Sequence, residues 1–373
     1  MAAKQRMRSL DVLRGIVIAA MILVNNPGCW DYIYRPLDHA VWNSVTPTDF
    51  IFPFFITIMG MSMVFSLRKF DYRFSWKAVG KVLRRAAVLA LIGYVTGWVS
   101  RALNRAADGE PVSHVLWNFD TARVFGVMVR LALVYLFAAL LVFALHRFRR
   151  AIPIFCAVLL TGYAVMLLAG HGFEATSANV VRRVDCAVVP AAHLYQGDFL
   201  DPEGILSTLP CIAQCLLGFC IFEQALPRDR IRSLAVPGTL LMAVGWLLSY
   251  GIPLNKKVWS PTFVLVTLGA CLLCLAVLLF FVDERGRIRG LRLFESLGSN
   301  AMLLFIVSTL LGIVLNAVRF HGVSLWSHYY RSFCCRIVPG SPYGASLLGA
   351  VLFVLLMMGL SWPLYRRHIY VKV

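Results

Sequence analysis

The residues with the clearest capacity for chemistry lie between the first two apolar segments of the chain. His39 follows Asp38 directly, lies among aromatic residues and stands between two predicted helix breaks. A histidine beside a carboxylate can act as a general base, or as a nucleophile that accepts an acyl group, near neutral pH. A lone histidine in a loop is usually only solvated, but these neighbours make His39 the strongest candidate for a reactive group. Trp42 and Asn43 follow it and predict contacts with a polar substrate.

Irregular backbone is expected on both sides of this stretch. The first apolar segment ends in Asn-Asn-Pro-Gly at residues 25–28, and the second begins at Thr46-Pro47. Proline and glycine interrupt a helix, and irregular backbone at membrane depth is stable only where it is buried in protein or lines a wet cavity. Thr46 or Asp49 can cap the second helix, whose first turn accommodates the proline. A polar pocket under this loop is therefore predicted, with His39 as its reactive group.

The elements that position this stretch are predicted to be membrane-spanning helices. Of the 373 residues, 60% are hydrophobic and 14% are charged. The apolar residues form runs long enough to cross about 30 Å of hydrocarbon, as transmembrane helices do. We therefore predict an all-α polytopic bundle of about ten spans that forms a single domain over residues 1–373. The predicted spans are 10–28, 49–67, 82–100, 123–145, 151–169, 205–225, 233–250, 261–282, 299–318 and 344–365.

The basic residues indicate how this bundle is oriented. The formal net charge is +18, but the Lys and Arg residues lie in short loops between apolar runs, which argues against nucleic-acid binding. Of the 36 Lys and Arg residues, 23 lie at the two ends and in alternate loops, and this bias marks the cytoplasmic side. Both termini are thus predicted to be cytoplasmic. The opposite side carries the long loops 29–48, 101–122, 170–204 and 319–343, whose aromatic and polar residues suit a polar substrate.

Charges inside the predicted spans require a reason, because each costs roughly 2.5–3.5 kcal/mol on insertion scales. Asp11 and Arg14 share a helix face, so they can pair with each other or present a cation to an anionic ligand. Arg123 and Arg130 are placed two turns apart on one face of the fourth predicted span. Arg123 can reach water there, whereas Arg130 lies about 10 Å deeper.

The ten cysteines do not predict a metal site, because no CxxC pair has a second half at zinc spacing. Six of them lie inside apolar runs, where cysteine behaves as a small hydrophobic residue. Those near the long loops could form a disulfide on that side, and the sequence leaves this open. They are Cys29, Cys186, Cys334 and Cys335.

Several blocks of the sequence, taken together, resemble one family. They include Ser-Leu-Asp-Val-Leu-Arg-Gly at 9–15, His-Ala-Val-Trp-Asn at 39–43 and Thr-Pro-Thr-Asp-Phe-Ile-Phe-Pro-Phe-Phe at 46–55. Further blocks lie at 21–28, 123–130, 193–195, 201–206, 255–260, 299–301 and 365–372. This set resembles the heparan-α-glucosaminide N-acetyltransferase family of transmembrane acetyltransferases, in the bacterial branch often labelled as N-acetylglucosamine-related transporters.

The resemblance implies transfer of acetyl from cytoplasmic acetyl-CoA to the amine of a terminal glucosamine on the far side of the membrane. It places His39 on the family's catalytic histidine and Asn25 on its active-site asparagine. Direct transfer in a ternary complex and an acetyl-His39 intermediate are both open. The family also implies a homodimer, and its bacterial branch implies the inner membrane.

The remaining site residues fall into two groups under this interpretation. We expect the cytoplasmic CoA phosphates to meet Arg14 and Arg85, although both could instead reach lipid phosphates. Two departures from the family pattern, Val129 and Ser44, leave the identity of the acceptor open. The predicted acceptor-binding residues are Asp38, Trp42, Asn43, Asp49, Glu203 and Asn255. The predicted donor-binding residues are Arg14, Arg85, Arg123, Arg130 and Asn300.

Two other functions compete with amino-sugar acetylation. A permease for N-acetylglucosamine or a related sugar would also need a multi-pass bundle with a polar pocket, but the sequence lacks the paired broken helices of many inverted-repeat transporters. A membrane acyltransferase that modifies polysaccharide hydroxyls would use the same donor. A permease would take up sugar without turnover of the acyl donor. The polysaccharide acyltransferase would acetylate hydroxyl acceptors and not amines.

Overall fold

The computed structural model describes residues 7–117, 119–148 and 150–371, apart from the side chains of residues 112 and 113. Four of the basic residues that enter the charge count above lie outside these ranges: Lys4, Arg6, Arg149 and Lys372.

The regular structure of the described chain is almost entirely helical. Its first eight helices are α1 (Arg8–Asn25), α2 (Ile51–Leu67), α3 (Trp76–Ala107), α4 (Val112–Trp117), α5 (Val127–Leu145), α6 (Ala151–Ala169), α7 (Val180–Val188) and α8 (Thr208–Ala225). The remaining helices are α9 (Arg230–Leu248), α10 (Pro261–Leu278), α11 (Arg292–Ser299), α12 (Ala301–Ala317), α13 (Leu325–His328), α14 (Cys335–Ile337) and α15 (Pro342–Arg366). A short antiparallel hairpin joins β1 (Arg319–Phe320) to β2 (Val323–Ser324). The prediction of an all-α polytopic bundle is confirmed.

Within the described ranges, eight helices are long and apolar enough to cross a membrane. The number rises to nine if α11 and α12, which meet at a bend of 77°, are counted as one broken span. Helix α1 is not among them, since its 18 residues include three charges, Arg8, Asp11 and Arg14. The predicted count of about ten is therefore slightly higher than the eight or nine that length and composition support.

The bundle has two ends. We call the end at which α1 begins and α15 ends the terminal face; there Arg8 pairs with Glu295 (3.1 Å). The opposite end, the loop face, carries the long connections, and there the backbone amide of Gly28 donates to the carbonyl oxygen of Ser346 (3.1 Å). The predicted reactive loop, including His39, lies on the loop face.

Three helices that run away from the loop face begin in the same way. A serine or threonine precedes a proline at Thr46-Pro47, Ser260-Pro261 and Ser341-Pro342. The Ser260 and Ser341 hydroxyls accept a backbone N–H of the first turn, and the proline lacks only a donor that would be unpaired there. Before α2, residues Pro47–Phe50 form a 3-10 turn that brings Asp49 below the loop.

A polar group at the centre of the bundle ties three helices together. The Gln214 amide on α8 donates to the hydroxyls of Thr57 on α2 and Thr267 on α10, each at 3.2 Å. Its carbonyl oxygen accepts the indole N–H of Trp259 at 3.0 Å. All these side chains are buried, so their polar atoms are satisfied internally. Trp259 thereby anchors the loop between α9 and α10 to the core.

The placement of Arg123 and the state of the cysteines bear on two points raised by the sequence. Arg123 is not on a helix, because α5 begins only at Val127. It therefore lies in the preceding loop, and the expectation that it shares a helix face with Arg130 was wrong. All ten cysteines lie in the described ranges, and each is a free thiol.

The closest helix packing involves α1 and α11 at the terminal face. A Cβ atom added to Gly15 would overlap the backbone carbonyl of Phe294. Gly298 is equally constrained by the backbone of Asp11. Small residues allow such backbone contact between helices in a membrane.

Gly15→Ala should therefore destabilise the protein by about 1–3 kcal/mol, the usual cost of overpacking. Gly162→Ala on α6 is the matched control, since a Cβ there meets nothing within 4 Å. Thermal unfolding of both variants in detergent measures the difference. Equal midpoints for the two variants would contradict the proposed backbone contact.

Candidate active site

Three side chains meet on the loop face and form what we call the His39 cluster: His39, Asp49 and Lys256. The His39 Nδ1 atom lies 2.8 Å from Oδ1 of Asp49. The Lys256 ammonium lies 2.9 Å from His39 Nδ1 and 3.5 Å from Asp49 Oδ1. The His39 side chain is 49% exposed, whereas the Asp49 side chain is fully buried. The cluster thus pairs an accessible imidazole with a buried carboxylate.

Asp49 is positioned by the start of α2 and by the loop above it. Its Oδ2 atom accepts the backbone N–H groups of Thr46 (2.9 Å) and Ala40 (3.1 Å) and the hydroxyl of Thr46. A buried charge is tolerated where several donors and a cation satisfy it. Oδ1 remains directed at His39, so the helix start that buries Asp49 also fixes the imidazole.

Lys256 comes from the loop between α9 and α10, far away in sequence. The neighbouring Asn255 is buried and donates to Oδ1 of Asn43 at 3.0 Å. Asn255 also pairs with Ser44 through a short parallel bridge. Because Trp259 anchors the other end of this loop, the Lys256 stem is held from both sides. Lys256 is 17% exposed.

The predicted acceptor-binding residues form the wall beside this cluster. The Trp42 indole N–H donates to the carbonyl oxygen of Phe173 at 2.7 Å, and the Asn43 amide donates to the same oxygen at 3.2 Å. Asp38 accepts the backbone N–H of His39 at 2.7 Å. The structure therefore brings Asp38 and Asp49 to His39, but the carboxylate at the imidazole is Asp49 and not the adjacent Asp38 that the sequence suggested.

The electrostatics of the cluster suit proton transfer. Burial lowers the pKa of the Lys256 ammonium, and the Asp49 carboxylate partly raises it. If the Nδ1 proton of His39 is donated to Asp49, Nε2 is the acceptor nitrogen of the ring, and the Lys256 ammonium lies 3.3 Å from it. A carboxylate at Nδ1 stabilises the imidazolium that forms when Nε2 accepts a proton. The arrangement is that of a general base with an orienting carboxylate and an adjacent cation.

A second group of charges lies next to the cluster and is called the carboxylate cluster: Arg123, Asp201 and Glu203. The Arg123 guanidinium binds Asp201 through two nitrogens, one of them at 3.0 Å, and also pairs with Glu203. These carboxylates raise the pKa of Arg123 against the opposing effect of its burial. Glu203 also acts electrostatically on Lys256. The two clusters are therefore electrically coupled.

Arg130 lies deep beneath the carboxylate cluster and is 1% exposed. One nitrogen donates to the Gly204 carbonyl oxygen (3.0 Å) and to the Ser207 hydroxyl. Its Nε and Nη1 atoms, and Oδ2 of the buried Asp185, have no hydrogen-bond partner among the described residues. Burial raises the pKa of Asp185 to about 6, while Arg130 partly lowers it. This region therefore contains unsatisfied polar groups in a protected position.

The terminal half of the bundle contains a separate cavity, which we call the inner cavity. Its volume is about 770 Å³, and it lies between α2, α3, α5 and the start of α12. Within it, Arg14 donates to Ser62 (2.9 Å) and Asp11 (2.7 Å), and Arg85 stacks on the Tyr135 ring at 4.7 Å. The basic residues along its wall are Arg14, Lys69, Lys81, Arg84 and Arg85.

The predicted donor residues are thus divided between the two ends. Arg14 and Arg85 share the inner cavity, whereas Arg123 and Arg130 lie near the loop face and bind protein groups there. Asn300, at the bend between α11 and α12, donates to the Ile369 carbonyl oxygen (3.0 Å) and accepts the Val371 N–H (2.8 Å). Val371 lines the inner cavity, so Asn300 shapes that cavity through the chain end.

Asn25, the second predicted catalytic residue, does not belong to the His39 cluster. It is the last residue of α1 and is exposed at the loop face. Among the described residues, no hydrogen bond or ion pair links its side chain to the His39 cluster. The role of its amide therefore remains a prediction from the family resemblance.

Lys256 is the site residue that the sequence reasoning missed. It was counted only as a loop charge, although it stands beside the predicted Asn255. Lys256 and Lys257 are adjacent cations on the side where the positive-inside bias predicts few. This local exception to the charge bias was the feature of the sequence that could have pointed to Lys256 as a site residue.

Comparisons with known proteins identify the family of the chain. Residues 7–366 match the family of acyltransferase domains. The chain therefore belongs to the acyltransferase domain family.

Two curated relatives make the similarity more specific. The chain is 23% identical to human heparan-α-glucosaminide N-acetyltransferase and 21% identical to the mouse enzyme of the same name. Each alignment covers all of this chain, but only 60% of the human protein and 61% of the mouse protein. The chain thus spans about three fifths of the length of these relatives. The resemblance to their family, first identified from short blocks, is confirmed over the full chain.

Lys256→Met should lower the rate of acyl transfer at least about tenfold, because a cation beside the reacting groups can stabilise a developing oxyanion. Lys256→Arg keeps the charge and should retain most of the activity. Steady-state kinetics of both purified variants provides the measurement. An equal loss in both would show that proton release by Lys256, and not its charge, is needed.

Proposed function

We propose that this transmembrane acyltransferase moves acetyl from acetyl-CoA at the terminal face to the amine of a glucosamine-type sugar at the loop face. The terminal face would be cytoplasmic and the loop face periplasmic or luminal. The observation that carries the proposal is the His39 cluster, in which a half-exposed imidazole is fixed by a buried carboxylate at 2.8 Å. The basic inner cavity at the opposite end supports a donor that enters from the other side.

The inner cavity suits the donor by its size and charge. A volume of about 770 Å³ is within the range of sites for small molecules and cofactors. Guanidinium groups such as those of Arg14 and Arg85 bind phosphate oxygens well, and Lys69, Lys81 and Arg84 add positive charge to the wall. The nucleotide phosphates of acetyl-CoA would bind these groups, with the pantetheine arm directed towards the loop face.

The distance from this cavity to His39 is compatible with an extended arm. Phe55, on α2, lines the cavity, and Asp49 lies six residues earlier in the chain at the His39 cluster. At 1.5 Å per helical residue, or somewhat more in the 3-10 turn, this separation is about 10 Å along the axis. A flexible thioester arm can cover such a distance while the nucleotide stays at the terminal face.

The chemistry follows from the protonation states available at the site. A sugar ammonium must lose a proton before it can attack, and Nε2 of His39 can accept it. The amine nitrogen then attacks the thioester carbonyl carbon, which forms a tetrahedral oxyanion. Collapse breaks the carbon–sulfur bond, and the CoA thiolate takes the proton of the His39 imidazolium. The regenerated imidazole then removes the second proton of the former ammonium from the acylated nitrogen and releases it to water, which leaves a neutral amide and free CoA thiol. Lys256 and the amide of Asn25 are the proposed oxyanion donors.

The surrounding residues supply acceptor recognition in this proposal. Asp38 and Glu203 add negative charge near the base, which attracts a cationic amino sugar. Asn43 and Asn255 are amides that can hydrogen-bond sugar hydroxyls, and Trp42 offers an apolar ring face. We favour direct transfer over an acetyl-His39 intermediate, because it needs no additional covalent step.

His39→Ala should abolish the release of CoA from acetyl-CoA in the presence of glucosamine, with a fall of at least about 100-fold for the loss of a general base. His171→Ala is the matched control, since His171 is an exposed loop-face histidine whose partner is Glu174. A thiol assay on both purified variants decides the question. Full turnover in His39→Ala would contradict the assignment.

An acceptor screen with radiolabelled acetyl-CoA identifies the substrate class. Labelled product from amino sugars, with none from sugars that bear only hydroxyls, is expected. Label on hydroxyl acceptors alone would favour a polysaccharide O-acyltransferase. Saturable sugar uptake into proteoliposomes without acetyl-CoA, and without thioester turnover, would favour a permease.

Neutralising the inner cavity should weaken donor binding selectively. In Arg14→Gln and Arg85→Gln, we expect the KM for acetyl-CoA to rise about tenfold with little change for the acceptor, because one charged contact contributes about 1.5–3 kcal/mol. Arg228→Gln is the control, an exposed arginine of the short loop between α8 and α9. Unchanged donor KM values in both cavity variants would place CoA elsewhere.

The proposal includes the cellular setting that the family resemblance implies. The protein would reside in the bacterial inner membrane with both termini in the cytoplasm, and it would form a homodimer. Cysteine labelling of the two faces in intact cells tests the orientation, and mass measurement in detergent tests the oligomeric state.

A further inference from the structure

A second large cavity, which we call the outer cavity, lies in the loop-face half of the bundle. Its volume is about 1130 Å³. The walls come from residues 93–101 of α3, 127–129 of α5 and 305–313 of α12, together with α4 and the loop before α5. The same three helices line the inner cavity nearer the terminal face, so the two cavities are stacked along α3.

The chemistry of the outer cavity differs from that of the inner one. Its wall is mainly apolar and aromatic, with Trp98 and Trp117 near its loop-face end and Phe305 and Ile313 along α12. Residues 93–101 belong to a helix that is a candidate membrane span, and residues 305–313 belong to the second half of the bent pair α11 and α12, which qualifies as one broken span. A wide apolar cleft at this depth favours hydrocarbon over water, and indole rings favour the membrane interface.

A cation lies in the wall of this apolar cleft. The Arg101 guanidinium folds back along α3 towards Gly97, where a Cβ would lie 3.6 Å from one of its nitrogens. Within the described part of the chain, Arg101 makes no hydrogen bond and no ion pair. Arg123 also lines the cavity, but its guanidinium is occupied by Asp201 and Glu203. Arg101 directly follows the predicted span 82–100, so its unneutralised guanidinium lies at the loop-face edge of the membrane, where anionic lipid head groups supply a partner.

We propose that the outer cavity binds an anionic phospholipid, whose phosphate pairs with Arg101 and whose acyl chain lies between α3 and α12. Charge complementarity selects the anionic head group, and the apolar wall selects the chain. The binding of a lipid is independent of the acyl donor and acceptor proposed above. The inner cavity, with its cluster of basic groups, remains the site for the nucleotide phosphates.

Quenching of tryptophan fluorescence by brominated lipids tests this proposal, because Trp98 and Trp117 line the cavity. The wild-type protein is titrated in mixed micelles with brominated phosphatidylglycerol or brominated phosphatidylcholine, and the Trp98→Phe, Trp117→Phe double variant isolates the local signal. We expect phosphatidylglycerol to quench at about fivefold lower mole fraction, since one basic residue contributes about 1 kcal/mol to anionic lipid binding. Inorganic phosphate should not compete.

Variants separate the charge from the apolar cleft. Arg101→Gln should abolish the fivefold preference, while Arg101→Lys should retain it. Arg183→Gln, which changes an exposed cation in α7 outside the cavity, is the matched control. Gly97→Leu should reduce quenching by both lipids, because a side chain there enters the cavity and meets only the Arg101 guanidinium within 4 Å. Thr309→Trp fills the cavity from α12 and serves the same purpose if Gly97→Leu does not fold.

Three results would overturn the proposal. The first is a preference for phosphatidylglycerol that survives in Arg101→Gln. The second is unchanged quenching in a folded cavity-filling variant. The third is displacement of the brominated lipid by coenzyme A, which would assign the outer cavity to the donor.

Discussion

The buried carboxylate of Asp49 is the interaction on which the loop face depends. An isolated carboxylate in a low-dielectric interior would be strongly unfavourable, so this one requires several donors at fixed positions. Those donors are the backbone of Thr46 and Ala40, the imidazole of His39 and the ammonium of Lys256. Satisfying Asp49 therefore starts helix α2, folds the loop above it and brings two distant chain segments together.

The division of the bundle into two ends gives a physical basis for vectorial chemistry. The inner cavity concentrates positive charge at the terminal face, whereas the carboxylate cluster and His39 lie at the loop face. Under the proposed function, a donor with phosphates would be attracted to the terminal face, and an acceptor with an ammonium group to the carboxylates of the loop face. The proposed reaction would then need only a narrow connection between the ends.

Local signals predicted much of this arrangement. The length and spacing of the apolar runs gave the helical bundle, and the pairing of Thr46 with Pro47 gave the start of α2. His39 and Asp38 belong to one short segment, so a histidine beside a carboxylate was recognisable without any knowledge of tertiary contacts. Asp49 was expected only to cap α2 or to bind the acceptor, and its pairing with the imidazole appears only in the structure. Arg14 and Arg85 were placed at the same end by the charge bias, and the structure puts them in one cavity.

The sequence did not predict features that depend on contacts between distant segments or on the exact boundaries of helices. Lys256 could not be assigned to the site because its partners lie more than 200 residues away, at His39 and Asp49. Arg123 was placed on a helix because the apolar run begins before Val127, the residue at which the helical hydrogen bonding of α5 starts. The bend at Asn300 depends on contacts with Ile369 and Val371, which periodicity does not encode.

The composition of the His39 cluster also has a consequence for biogenesis. A ribosome delivers Asp49 to the translocation machinery long before it has made Lys256, which follows His39 by 217 residues. During that interval the carboxylate has only the donors of its own short segment, the His39 imidazole, the Thr46 and Ala40 amides and the Thr46 hydroxyl. These local donors are then the only groups that can stabilise the carboxylate, and the Lys256 cation arrives only when the loop before α10 has been translated.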